Sequence, residues 1–471
     1  MRFPLFLLII VLAAGVHAQS GRGGSATATS TPAVGSTMSV KQMFEEANGY
    51  IKAKAAEYDA KKIAFSDSTF DRVKLEQRQL AAKYASSAAA RDNLEGDDYY
   101  YLGMLRWIAL DLDGTVASLQ HFLAWDAAPA DRSQTARSVI VVALAQRGML
   151  DLAEKSLGEY LAKEPKKLTE RSRMEGEVAK AYQACKDFAK MAPHAEQGYA
   201  AAKALVLDPA SSQRGLDEIL DSGMLVFEAH RELGDRSKAD AALDDMRALA
   251  IQVQSPSFSY YATDQKIKYL IDTGRKPAAL ELYAAVQNSA SKDFPVKELQ
   301  DDLLKRFKAR QTHYKLLGEA APDLPSIDQW FPGAPTKIAD LKGKVVVLEF
   351  WATWCGPCFD AFPHLIEWQD QFKDQGLVIL GVTRYYGQVN GLPADEAHEI
   401  DALKSFKTKW KLPYDFVVAK DQSIQMLYGG LALPTAAIID RKGVVRYLET
   451  GTSSTRVEQM REMIVKLLAE K

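Results

Sequence analysis

The chain has 471 residues, about three domains' worth at roughly 150 residues each. Apolar residues make up 47% against 25% charged, enough to bury a sizeable core. A formal net charge of -2 and the lack of any basic run exclude a nucleic-acid binder driven by phosphate attraction. The first residues, "MRFPLFLLIIVLAAGVHAQS", place Arg2 before an apolar run from Phe3 to Ala14. Val16 and Ala18 then fit the small-residue positions of a signal-peptidase site, so residues 1–18 read as a secretory signal cleaved after Ala18. The run is short for a membrane span of about 20 residues. The expectation is a soluble mature protein in an exported, periplasmic or other extracytoplasmic compartment that permits disulfides. Residues 19–39 are Gly, Ser, Thr and Ala with few large apolar groups, and read as a disordered tether.

From residue 40 to 317 the texture is alanine, leucine and charge in long apolar-periodic segments with short breaks, which predicts an all-helical domain. A pattern recurs within it. Gly148 is followed by Ala153 five residues on, Tyr160 twelve on and Pro165 seventeen on. Gly234, Ala239 and Met246 share the first three offsets, as do Gly274, Ala279 and Val286. Gly114 stands 34 residues before Gly148. Each glycine suits a tight turn between helices, and each alanine a close helix approach. These offsets resemble a degenerate tetratricopeptide repeat, which implies stacked helix pairs and a surface for a protein partner.

Residues 318–471 change texture again. "KVVVLEFW", "LVILGVT", "DFVVA", "TAAIID" and "VVRYLE" read as strands. Helical stretches near 358–373, 398–411, 421–428 and 455–470 lie between them, and the last two strands meet across "DRKG". This is an α/β layout ending in a hairpin. The whole is therefore a multidomain chain, all-α and then α/β.

The chain has three cysteines, and two of them, Cys355 and Cys358, share the sequence "WCGPC". A strand leads into this segment and a helix begins near it. A helix N-terminus favours negative charge, so the Cys355 thiol should ionise more readily than a free cysteine. Two intervening residues on a first helical turn bring Cys358 within reach, so it can resolve a mixed disulfide formed on Cys355. Gly356 and Pro357 constrain the turn, and proline is tolerated where an early N–H has no helical partner. Zinc would need four ligands, and no cluster supplies them beside the remaining thiol, Cys185. Covalent haem would need a histidine where Phe359 stands. No metal or cofactor is expected. Cys185 reads as a buried core thiol.

"EFWATWCGPC" resembles the active site of the thioredoxin superfamily, and most closely the exported TlpA/ResA-type thiol-disulfide oxidoreductases. "APDLP", "LKGKVVVLEFWATWC", Pro363 five residues after Cys358, and Leu433-Pro434-Thr435 before "AAIID" carry the resemblance across residues 319–471. It implies a thioredoxin-like domain with a redox-active Cys355–Cys358 disulfide. Cys355 would attack and Cys358 would resolve. Trp354 would shield the site from water, and a cis Pro434, with Thr435, would lie against the disulfide.

Glu349 interrupts an apolar run, where an ionised carboxylate is costly to bury. It would either sit at an exposed edge paired with Lys344, or be buried as thioredoxin's aspartate is, six residues before the first cysteine, to take the proton from the resolving thiol. A peroxiredoxin would need Thr three residues and Pro seven residues before its cysteine. Ala352 and Leu348 stand there, which rejects that reading.

The expected function is disulfide exchange with exported protein substrates, an apocytochrome among the candidates, in the direction of reduction. A reductase in an oxidising compartment also needs a membrane electron donor. The alternative is an assembly scaffold in which the helical repeats bind partners and the thioredoxin-like domain only docks.

Overall fold

A computed structural model describes residues 38–209 and 216–470. The expected signal, and the tether up to residue 37, lie outside the described residues. Among those described, no helix is long and apolar enough to cross a membrane. The chain divides into two compact units, one ending at Ala242 and the other running from Leu243 to Lys471.

The helical region holds α1 (Val40–Ala60), α2 (Asp67–Ala89), α3 (Asp97–Ala109), α4 (Leu112–Leu123), α5 (Ala130–Gln146), α6 (Leu150–Leu161) and α7 (Leu168–Ala184). It continues with α8 (Phe188–Leu207), α9 (Leu216–Glu232), α10 (Arg236–Gln252), α11 (Pro256–Asp272), α12 (Lys276–Asp293) and α13 (Lys297–Leu316). Ser39 caps α1 by a reciprocal pair of hydrogen bonds with Gln42. Gly148, Gly234 and Gly274 lie between consecutive helices with φ of +69°, +74° and +79°, the left-handed region that glycine enters without steric cost. Ala153, Ala239 and Ala279 five residues on are fully buried, as are Tyr160, Met246 and Val286 twelve on.

Gly114 departs from this pattern. It lies inside α4 against its own capping residue Asp111, whose side chain accepts from the Gly114 N–H. The left-handed turn position before α4 belongs to Leu110, at φ +63°. Lys186 takes the corresponding place between α7 and α8, at φ +61°. Two turns between helices thus use non-glycine residues, which glycine spacing alone does not reveal. Cys185 is a second departure. It is the residue that ends α7, just before the Lys186 turn, and its thiol is exposed rather than in the core.

The second unit is built on a six-stranded sheet. Its strands are β1 (Ile327–Phe331), β2 (Val345–Phe350), β3 (Leu377–Arg384), β6 (Asp415–Ala419), β7 (Thr435–Ile439) and β8 (Val445–Thr450). A separate small hairpin, β4 (Gln388–Val389) with β5 (Leu392–Pro393), turns through Asn390-Gly391, both at positive φ. Strand order in the sheet is β1-β6-β3-β2-β7-β8. β2, β3 and β6 run parallel, and β1, β7 and β8 run antiparallel to their neighbours. β2 is central and buried along its whole length.

Period-two alternation splits β2 between two cores. Val345 and Val347 face α15 (Phe362–Phe372), α16 (Glu396–Trp410) and α18 (Ser454–Ala469). Val346, Leu348 and Phe350 face the opposite core, which holds Leu317, Ile338, Tyr428 and Ile424 of α17 (Ser423–Leu427). A short helix, α14 (Gly356–Phe359), precedes α15. The expected helix over 358–373 is thus in two pieces. Pro363 has no N–H to continue the ladder, and Asp360 and Ala361 keep right-handed backbone angles across the break.

In the first unit, His194 on α8 stands between two carboxylates. Nδ1 is 2.7 Å from Glu175 on α7, and Nε2 is 2.9 Å from Glu154 on α6. Both partners only accept, so both ring nitrogens donate and the imidazole is protonated. Burial pushes its pKa down, but the Glu175 hydrogen bond and the two carboxylate charges outweigh this and raise it above 6.5. A cation held this way adds stability that is complete below the unfolded pKa and is lost as pH rises through the folded one. The urea midpoint should therefore fall as pH climbs above about 6.5, and His194→Gln should flatten that slope. An unchanged slope in the variant would refute the tie.

Candidate active site

The six residues of β2 end at Phe350, and the loop from Trp351 to Trp354 delivers Cys355 to the start of α14. Cys355 and Cys358 form a disulfide with Cα atoms 5.3 Å apart. Cys355 is 4% exposed and Cys358 is fully buried. The Cys358 N–H donates to the Cys355 carbonyl at 3.0 Å, which closes the turn. Gly356 and Pro357 are exposed, and a Cβ built on Gly356 would touch nothing within 4 Å. Space therefore does not dictate glycine at that position.

An aromatic cluster supports the cysteines from behind. Trp351 lies 4.8 Å from Phe416 and 5.1 Å from Phe406 between ring centroids, and Phe359 lies 5.3 Å from Trp410. These rings pack α14 and α16 on the same face of the sheet, each pair adding about 0.5–1.5 kcal/mol beyond area burial.

Trp354 is 56% exposed. It meets Tyr386 edge to face at 5.2 Å, and Tyr386 carries the Arg384 guanidinium over its ring at 4.1 Å. The buried Glu399 on α16 accepts from the N–H groups of Tyr386 and Gly387, both at 2.8 Å, and so fixes that ring against the indole. Trp354 forms an apolar rim beside the disulfide, not a closed cover.

The Leu433–Pro434 peptide bond is cis, and Pro434 is buried at the start of β7. Thr435 pairs in register with Phe350 on β2 and Thr450 on β8. Its hydroxyl donates to the Ala432 carbonyl at 2.8 Å and lies 2.9 Å from the Thr450 hydroxyl. Thr435 therefore steadies the proline loop.

Glu349 is 1% exposed and lies between Gly381 of β3 and Ala436 of β7. Lys344 is exposed and is not its partner. Alternation along β2 turns Glu349 to the face that holds both cysteines. There Arg456 of α18 reaches it, with Nη2 3.2 Å from one carboxylate oxygen and 3.5 Å from the other. Desolvation raises the Glu349 pKa, and the Arg456 charge and hydrogen bond restrain the rise. A carboxylate whose folded pKa is raised binds its proton more tightly folded than unfolded. On its own it adds stability as pH falls and removes it as pH rises through the folded value.

Arg456 was not found from the sequence, although a signal existed. It sits in the first turn of α18, three residues after the capping Ser453, where the helix dipole disfavours a cation. Among the described residues no cluster of His, Cys, Asp and Glu could hold a metal ion.

The AhpC/TSA family model matches residues 317–448. The thiol-disulfide oxidoreductase ResA of Bacillus thuringiensis (strain Al Hakam) is 34% identical over 129 residues, 27% of this chain and 66% of that protein. ResA of Bacillus thuringiensis subsp. konkukian (strain 97-27) is 31% identical over 151 residues, 32% of this chain and 78% of that protein. The chain belongs to the ResA family of thiol-disulfide oxidoreductases. Among solved structures, a thiol:disulfide interchange protein of the thioredoxin family from Chlorobium tepidum TLS matches at 22% identity and TM-score 0.26, covering 32% of this chain and 96% of that one. The family model begins at residue 317, after α13, and the two ResA proteins match no more than 32% of this chain.

The buried ion pair makes a direct test. Arg456→Gln leaves a carboxylate sealed in the core without its counter-charge, and should cost about 3–5 kcal/mol by urea unfolding at neutral pH. Adding Glu349→Gln should recover most of that loss. Equal losses in the single and double variants would contradict the pairing.

Proposed function

We propose that this chain is an exported thiol-disulfide oxidoreductase that reduces protein disulfides at Cys355 and Cys358. The observation that carries the reading is the Cys355–Cys358 disulfide at the start of α14, on the same sheet face as Glu349 and next in the core to the Pro434 loop. The Cys355 thiolate attacks a substrate disulfide, forms a mixed disulfide and releases one substrate thiolate, which takes up a proton. Cys358 then gives its proton to Glu349. Its thiolate attacks the Cys355 sulfur and releases the second substrate thiolate, which takes up a proton. Two electrons pass to the substrate, and the chain is left with the disulfide seen here.

A dithiol donor must then reduce Cys355–Cys358 again. In an oxidising compartment that donor belongs to the membrane. Trp354 at 56% exposed and Leu431 at 60% exposed offer an extended polypeptide an apolar rim on which to lie. The substrates would be disulfide-bearing exported proteins, such as an apocytochrome. The tetratricopeptide-like helix pairs would hold a protein partner, and no cofactor is needed for the exchange.

The test uses the full chain. Because Cys185 is exposed, it is first replaced by serine. In that background insulin reduction with dithiothreitol as donor should proceed, and Cys355→Ser should abolish it. Cys358→Ser should instead accumulate a mixed disulfide that only external thiol releases. Glu349→Gln should slow resolution and remove the increase in rate as pH rises through a value above 4.5. An intact chain that turns over no disulfide would favour the scaffold reading.

A further inference from the structure

Outside the cysteine site, a buried group of charges in the second unit lies where α11 and α13 meet the β8 end of the sheet. Asp264 of α11 accepts from the Tyr314 hydroxyl at 2.6 Å and Arg310 Nε at 3.4 Å, and pairs with Lys268 at 2.6 Å. Lys268 also pairs with Glu449 of β8. Arg310 Nη2 donates to Glu449 at 2.7 Å. The chain of contacts continues to His313, which is 1% exposed. Arg310 Nη1 is 2.8 Å from His313 Nδ1, and His313 Nε2 is 3.0 Å from the Gly429 carbonyl.

The direction of each hydrogen bond follows from the donors available. A guanidinium only donates, so His313 Nδ1 is the acceptor. The ring proton then sits on Nε2 and is donated to Gly429. A neutral imidazole is the form this requires, and burial together with the Arg310 charge lowers the His313 pKa to about 4.

Gly429 is where α17 passes into the loop that ends at Leu433–Pro434. Its φ is +64°, and a Cβ there would lie 2.7 Å from His313 Cδ2. Only glycine lets the ring come this close. The Gly429 carbonyl also accepts from the Leu431 N–H at 2.9 Å, so one oxygen joins α13 to the exposed residue of the loop. At the other end of the same segment, Glu449 and Thr450 on β8 pair in register with Ala436 and Thr435 on β7. The network thus grips the proline loop from both sides.

We propose that Arg310 and His313 are positioning residues for substrate recognition: through the Gly429 carbonyl they hold the loop from Gly430 to Leu433 in place to receive a polypeptide beside Cys355. The proposal rests on the oxidoreductase reading for its substrate, while the clamp itself is a property of the fold. It also gives α11–α13 a role in the redox unit. Without the clamp a protein substrate would meet a wandering loop, whereas a small disulfide, which needs no loop, would react with Cys355 as before.

The experiment compares the full Cys185→Ser chain with the same chain carrying His313→Leu, His313→Gln or Gly429→Ala, using insulin and 5,5′-dithiobis(2-nitrobenzoate) as substrates. His313→Leu and Gly429→Ala should raise KM for insulin about tenfold, equivalent to about 1.4 kcal/mol. The rate with the small disulfide and the potential of the cysteine pair should not change. His313→Gln, whose amide can make both hydrogen bonds, should stay within about twofold of the parent. Parallel losses with both substrates, or no change with either, would overturn the proposal. Amide hydrogen exchange over residues 429–433 needs no turnover. It should quicken in His313→Leu, and unchanged exchange would also overturn the clamp. If the parent reduced neither substrate while exchange still quickened in the variant, the clamp would stand and the oxidoreductase reading would fall.

Discussion

A carboxylate can be sealed inside a dry sheet only if something of opposite charge is sealed in with it. Glu349 and Arg456 meet that condition, and much of the second unit is arranged around it. β2 must be central so that Glu349 is shut off from water. α18 must return to the same face so that its first turn can supply the guanidinium. The same packing sets α14 against the sheet, with Cys355 and Cys358 in the core cluster beyond the C-terminal end of β2. A salt bridge of this kind is weak evidence for stability, since a hydrophobic pair of equal volume is often as stable. Burial raises the proton affinity of Glu349 and the Arg456 cation restrains it, which is the balance that the proposed proton acceptor would need.

The two halves of the disulfide differ in their surroundings in a way that suits two roles. Cys355 begins a helical segment and borders the exposed Trp354. Cys358 lies one turn further in, fully buried in the core cluster that also holds Trp351 and Phe362. An attacking group needs access and a stabilised anion. A resolving group needs neither, but it does need somewhere to send its proton. Residues on opposite sides of one short turn can satisfy both demands because the fold, not the sulfur, differs between them.

Much of this was legible in the sequence where chemistry is local. The spacing of the cysteines, the strand before them, Pro434 and the odd position of Glu349 could all be read within a few residues. The strands predicted from β-branched runs correspond to β2, β3, β6, β7 and β8. β1 was missed because "IDQWF" is a half-buried edge strand with no apolar run. Contacts between distant residues left no local trace. Arg456 lies 107 residues from Glu349, and His313 lies 116 from Gly429. The exposure of Cys185 and the shift of the turn from Gly114 to Leu110 depend on where a helix ends, the least determined feature of an apolar period. The boundary by composition at residue 318 marks where strands begin. The compact unit begins earlier, at Leu243, because α11 and α13 pack on the sheet through charges that composition does not reveal.

Under the proposed exchange, the fold makes the Cys355 thiol of the reduced chain a thiolate near neutral pH. It is tested most directly by titrating the single active-site thiol of a Cys185→Ser, Cys358→Ser chain through its thiolate absorbance in the ultraviolet. The midpoint should fall well below the value of about 8.5 for a free cysteine. A midpoint at or above that value would contradict it.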